Sequence, residues 1–174
     1  MELFETLKVH VRWMIRKDVD PVLKIEAAGY QAPWGEEELL AGMRQRNVIG
    51  MVAEMTSSTG YNDVSYIVIG YMVYALHKEC VELLKFAVGP KHRRRGVGRQ
   101  MLQKLLSKLS AGRREHIIFR VPESNLDGHL FLKANGFIAQ RVERNYFCDP
   151  DEDAYVMAHN IKVASRSAEW GSVT

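Results

Sequence analysis

Seven consecutive residues, Arg93-Arg94-Arg95-Gly96-Val97-Gly98-Arg99, carry the densest chemistry in the chain. Arginine supplies a permanent charge and a rigid fork of donors suited to phosphate. Gly96 and Gly98 let a ligand come close to the backbone and let the chain turn sharply. Met101, Leu102, Leu105, Leu106 and Leu109 follow at helical spacing, with Lys104 and Lys108 on the opposite side. A helix therefore starts at the turn. The first N–H groups of a helix lack partners and sit at the positive end of its dipole, so they attract anions. The stretch is suited to hold a phosphate-bearing ligand. It is neither GxxxxGKS/T nor GxGxxG.

The elements that must position this turn can be read on either side of it. Leu84, Phe86 and Val88 alternate along an apolar run that stops at Gly89-Pro90, which predicts a buried strand entering a loop. Upstream, Val9, Val11, Trp13 and Ile15 alternate, predicting a first strand over 8–16. Asp18 is placed to cap a helix running to Ala28 and closed by Gly29. A second helix is expected over 36–45, after the aromatic loop Tyr30-Gln31-Ala32-Pro33-Trp34-Gly35. Strands are expected near 48–56, 65–77 and 79–88, with 57–64 as the turn between the first two. Downstream come a strand over 116–121 and a helix from Ser124 or Asn125 to Gly136, with Leu126, Leu130, Phe131 and Ala134 as its apolar face. Strands over 137–146 and 153–161 flank the acidic turn 148–152. The tail from 164 lacks periodicity and is expected to be mobile.

This order, β-α-α-β-β-β-α-β-α-β-β, suits one α/β (α+β) domain over 1–163, since 174 residues is an ordinary domain length. A net charge of +3 with a local basic cluster argues against nucleic acid as a direct partner. Cys80 and Cys148 have no metal spacing and make no disulfide framework, and the six histidines form no HExxH, so no metal is expected. No apolar run would span a bilayer and no signal pattern follows Met1, so no membrane partner and a soluble cytoplasmic protein are expected.

The pattern Q/R-x-x-G-x-G/A, after a strand ending in Val88-Gly89-Pro90 and before a helix, resembles the central motif of the GCN5-related N-acetyltransferases. The resemblance runs over residues 8–162. It implies the acyl-CoA N-acyltransferase fold, a mostly antiparallel mixed sheet of about seven strands with four helices, and acetyl-CoA as cosubstrate. It implies that the N–H groups of Arg93, Arg94, Arg95, Gly96, Val97, Gly98 and Arg99 hold the pyrophosphate. The pantetheine arm would pair with the backbone around Phe86, Ala87 and Val88, and the Val88 N–H would stabilise the oxyanion. Asn125 matches a family asparagine that contacts coenzyme A, though it could equally be only a helix N-cap.

Two further stretches are similar to the protein N-terminal acetyltransferases of the RimI type, which act on the N-terminal alanine of a ribosomal protein. They are Ala32-Pro33-Trp34-Gly35-Glu36 and the run from Glu143-Arg144-Asn145-Tyr146-Phe147 through Tyr155-Val156-Met157. The resemblance puts Tyr30, Trp34 and Tyr146 beside the acceptor's first residues, although each could be an ordinary half-buried aromatic. The family's glutamate base and tyrosine acid fall on Arg120 and Leu132, which can play neither part. Glu82, on the same strand face as Val88, is the replacement candidate for the base, against the plainer reading of a carboxylate paired with Lys78 or an arginine. Glu123 is a weaker one, and Tyr146 is the candidate proton donor. Three readings stay open: acetylation of a protein N-terminus, plausibly of a ribosomal protein; acetylation of a small amine or a lysine; and a non-catalytic acetyl-CoA-binding module. The oligomeric state is open as well.

Overall fold

The structure, a computed structural model, describes residues 6–60 and 63–161. In chain order its elements are β1 His10–Trp13, α1 Val19–Gly29, α2 Glu36–Met43, β2 Val48–Gly60, β3 Asp63–Leu76, β4 Cys80–Val88, α3 Val97–Leu106, β5 His116–Pro122, α4 Leu126–Ala134, β6 Ile138–Cys148 and β7 Asp151–Asn160. The strands lie in the order β1-β2-β3-β4-β5-β7-β6. β4 and β5 run parallel, whereas β1–β2, β5–β7 and β6–β7 are antiparallel. The mixed sheet of seven strands with four helices is the architecture that the resemblance implies. The tail from 164 lies outside the described residues.

Two compact units are interleaved along the chain, and β4 contributes to both. The first comprises Met1–Tyr74 with Lys85–Leu105. Its core joins Val22 and Leu39 of the first two helices to Met51, Met72 and Tyr74 of the strands and to Leu102 of α3, all nearly inaccessible to water. Each such aliphatic side chain stabilises the fold by about 1.5–3 kcal/mol. α3 lies close on β3 because Gly70 has no side chain. A Cβ there would meet the Met101 sulfur at 2.9 Å.

Several boundaries in this unit differ from expectation. β1 is short because it pairs with β2 only from His10↔Glu54 to Trp13↔Met51, which leaves Trp13 70% exposed. Asp18 does not cap α1 with its side chain. Its buried carboxylate instead accepts the Ile15 N–H at 2.8 Å and a fork from Arg12 at 2.6 and 2.9 Å. Arg12 also donates to the buried Glu54 at 2.8 Å, so one guanidinium neutralises two interior carboxylates. Residues 57–60 and 63–64, expected in a turn, continue the strands β2 and β3, and the Ser65 hydroxyl donates to the Ser57 carbonyl across them. Polar side chains do not end an antiparallel pair whose backbone ladder can run on.

The second unit comprises Ala75–Leu84 with Leu106–Thr174. Val81, Leu83, Ile117, Val121, Phe137 and Val156 form its core. α4 turns a different face inward from the one expected. Leu132 is buried, whereas Leu126 and Leu130 are 65% and 53% exposed. β6 and β7 are longer than expected, so the acidic turn shrinks to Asp149-Pro150.

Candidate active site

β4 has two unequal faces. Val81, Leu83, Lys85 and Ala87 are buried, and Glu82, Leu84, Phe86 and Val88 are half-buried. This reverses the expected burial of Leu84, Phe86 and Val88, and it sets a lysine inside the protein. Lys85 is 8% exposed and donates to Glu26 of α1 at 2.6 Å. Its ammonium lies 4.0 Å from the Tyr30 ring centroid and 4.9 Å from that of Trp34. The same Glu26 oxygen accepts the Trp34 N–H at 2.8 Å, so one carboxylate fixes both the buried lysine and the aromatic loop. The other Glu26 oxygen is buried with no partner among the described residues. The sequence did offer a signal here, since Lys85 is the one charge in Leu83-Leu84-Lys85-Phe86-Ala87-Val88.

β4 pairs with β5 only over Cys80–Leu83. Beyond that point the Gly89 N–H goes to the Ile69 carbonyl of β3 at 2.8 Å. By the alternation of a strand, the backbone groups of Phe86 and Val88 project to the edge away from β3. The Arg93 Nε donates to the Val88 carbonyl at 3.0 Å. The Tyr30 hydroxyl donates to the Phe86 carbonyl at 3.0 Å and accepts the Phe86 N–H at 3.1 Å. Burial holds the Tyr30 phenol well above its usual pKa, the nearby Glu26 adds to the rise, and it stays protonated.

The turn that leaves β4 is a short 3-10 segment, Pro90–His92, followed by Arg94 at φ 60° and Gly96 at φ 76°. A left-handed arginine is costly, by about 1–3 kcal/mol, and such outliers gather at binding sites. A Cβ on Gly96 would meet the Thr6 methyl at 2.8 Å, so this glycine serves the chain's own packing as well as any ligand. The amino-terminal segment is tied down here too. The Leu7 N–H goes to the Arg95 carbonyl at 3.0 Å, and Gln100 of α3 donates to the Leu7 carbonyl at 2.6 Å and accepts the Val9 N–H at 3.2 Å. Arg93, Arg94 and Arg99 are exposed, Val97 is buried in the core, and its N–H opens α3. Burial, reinforced by Arg95 and Lys91, holds the His92 ring below its usual pKa.

In the second unit a different cluster forms around Arg120 of β5. Its guanidinium donates to Glu82 and, at 2.7 Å, to Glu143 of β6. The second Glu82 oxygen meets His77 Nε2 at 2.8 Å. The Tyr146 ring lies 5.2 Å from the Arg120 guanidinium carbon, and the residue is 47% exposed. The Arg120 bond holds the Glu143 carboxyl below its usual range, and Glu143 in turn raises Arg120. Tyr146 owes its position to a bulge. The β6–β7 register shifts between Glu143 and Phe147, and Asn145 adopts φ 50°. Asp153 stabilises that bulge by accepting the Asn145 N–H at 2.8 Å and a bond from Arg144. Bulges of this kind re-aim a side chain.

The two proposed catalytic side chains, Glu82 and Tyr146, thus meet at one guanidinium, which sequence reasoning had set aside. Glu82 does share the face of Val88, with five strand residues between them. Both Glu82 oxygens are engaged. To act as a base it would first have to release His77 or Arg120. Leu132, at the family's tyrosine position, is 2% exposed and belongs to the core. Asn125 caps α4, its side chain accepting the Gly128 N–H at 2.9 Å. Among the described residues no cluster of His, Cys, Asp or Glu could hold a metal, and no helix is long and apolar enough to cross a membrane.

A mixed sheet whose central strand runs into an arginine-glycine turn and a helix N-terminus defines the class of acyltransferase folds that grip a phosphate-bearing acyl carrier. The chain belongs to the acetyltransferase (GNAT) family, whose model matches residues 16–137. It is 23% identical over 148 residues to the ribosomal protein bS18-alanine N-acetyltransferase of Escherichia coli strain K12, a match covering 84% of this chain and 93% of that protein. The crystal structure of the Escherichia coli ribosomal-protein-S18-alanine N-acetyltransferase superposes with a TM-score of 0.72 at 21% identity, over 88% of this chain and 94% of that one. Arabidopsis thaliana NAA60 in complex with acetyl-CoA gives 0.73 at 14% identity, over 88% of this chain and 100% of that one.

Proposed function

We propose that the protein transfers the acetyl group of acetyl-CoA to the N-terminal α-amine of a protein, with a ribosomal protein a fitting acceptor. The observation that carries this reading is the course of β4. Its edge at Phe86 and Val88 leads without interruption into the exposed arginines and the first turn of α3. An extended arm can lie along the strand edge while a pyrophosphate sits on the helix N-terminus. The residues present therefore fit the carrier, which would supply an acetyl thioester.

In the proposed reaction the Val88 N–H stabilises the charge that develops on the carbonyl oxygen. The neutral α-amine nitrogen forms the new amide bond as the carbon–sulfur bond breaks and gives up its surplus proton to water, and the departing thiolate takes a proton. Tyr146 is the side chain we assign to that proton, and Arg120 positions its ring. Glu82 and Glu143 hold Arg120. Trp34 is assigned to the acceptor side through its loop.

With both Glu82 oxygens already engaged, the acceptor's own acidity matters. An α-amine with a pKa near 7.7–8 is neutral in roughly one molecule of seven at pH 7, whereas a lysine near 10.4 is neutral in about one of 2,500. Deprotonation costs the first about 1 kcal/mol and the second about 4.6 kcal/mol. This difference favours N-termini over lysines. The test is acetyl-CoA turnover on short peptides with free N-termini, one beginning with alanine, beside N-terminally blocked peptides that carry lysine. Activity on the free set supports the reading. Activity only on blocked peptides or small amines, or none with coenzyme A still bound, contradicts it.

A further inference from the structure

On the edge of β4 that would take the arm of the carrier, side chains of this chain already hold the Phe86 backbone pair and the Val88 carbonyl. At Phe86 the Tyr30 hydroxyl makes both bonds, donating to the carbonyl at 3.0 Å and accepting the N–H at 3.1 Å. At Val88 the carbonyl is taken by Arg93. A hydroxyl is well suited to this, because it can donate and accept at once, as the amides of an extended arm would. The Tyr30 ring is held independently by the ammonium of Lys85, which Glu26 fixes in turn. Tyr30 follows the last residue of α1, and its N–H closes that helix on the Glu26 carbonyl at 3.0 Å. Its hydroxyl is thus carried by a rigid helix end rather than by a wandering loop.

We infer that Tyr30 is a placeholder on the coenzyme track, whose hydroxyl occupies the Phe86 backbone pair and must be displaced before the pantetheine arm can pair there. The inference rests on the acetyl-CoA reading above and moves Tyr30 from the acceptor side to the coenzyme side. The half-buried backbone groups of Phe86 are satisfied at every stage, first by the hydroxyl and then by the arm, so neither state carries the penalty of an unpaired peptide group. The cost of the exchange falls on coenzyme binding, which must break two bonds to make two. Removing the hydroxyl removes the competitor.

Tyr30→Phe keeps the ring over Lys85 and deletes only the oxygen. Titration calorimetry with coenzyme A should then give a Kd about 3- to 10-fold lower than in the unaltered protein, the range expected for losing one or two competing neutral hydrogen bonds. Adenosine diphosphate, which carries a pyrophosphate and no pantetheine arm, serves as the control. Its Kd should be the same in both proteins. Coenzyme A that binds Tyr30→Phe equally well or more weakly overturns the placeholder and leaves the coenzyme reading intact. Equal tightening of both ligands also overturns it, because the effect would not run through the arm. Failure of both proteins to bind coenzyme A overturns the placeholder together with the reading beneath it.

Discussion

Lys85 looks, in sequence, like an outward-facing charge in an apolar strand, and in the structure it is among the most buried cations of the protein. Its partner, Glu26, lies on α1 and is separated by 59 positions, which no local pattern reveals. An interior charge survives only when paired, and removing one partner leaves the other uncompensated. Lys85→Met should therefore cost about 3–5 kcal/mol in urea unfolding, whereas the pair Lys85→Met with Glu26→Leu should recover most of that loss. A single variant as stable as the unaltered protein would refute the account of this pair. The same limit applied to Arg120. Its position in the motif was legible, but its contacts come from β4 and β6, so its part as a hub was not. Glu82→Gln should change kcat by less than about 5-fold and leave the shape of the pH–rate profile unaltered. A fall of 10² or more with a lost alkaline plateau would establish Glu82 as a base. Tyr146→Phe, by contrast, should lower kcat by about 10²-fold, the smaller end of what a positioned proton donor contributes.

At the scale of elements, the strand–turn–helix around the arginines and the cap of α4 at Asn125 were legible because both rest on local rules of spacing and capping. The ends of β1 and α1 were not, since the Arg12, Asp18 and Glu54 network decides them. Burial alone would raise both carboxyls. Arg12, with the Ile15 N–H for Asp18 and His10 for Glu54, outweighs burial and holds each below its usual value. A carboxyl lowered by folding stabilises the protein above its unfolded pKa of about 4, and that contribution fades as the pH falls through the folded value. Thermal unfolding between pH 7 and pH 3 should show this decline. In Arg12→Met the sign should reverse for Asp18, because burial then dominates. Stability should be lower by about 3–5 kcal/mol at pH 7 and should rise on moderate acidification. An Arg12→Met protein that loses stability in parallel with the unaltered one would argue against the network.

For the molecule as a whole, the element order with the family resemblance sufficed to expect the mixed sheet, while the interleaving of two compact units through β4 was invisible in a linear reading. The chemistry follows the same division. The first unit holds the arginine turn, the β4 edge and the Tyr30 and Trp34 loop, and the second holds Arg120 with its two glutamates and Tyr146. Family membership and this distribution together make acetyl transfer to an α-amine the central claim. One peptide tests it most directly, beginning with a free alanine and carrying an unblocked lysine, incubated with acetyl-CoA at pH 7 and mapped by fragment mass spectrometry. The account expects the acetyl group on the N-terminal nitrogen and none on the lysine. Acetylation of the lysine with the N-terminus left free would contradict it.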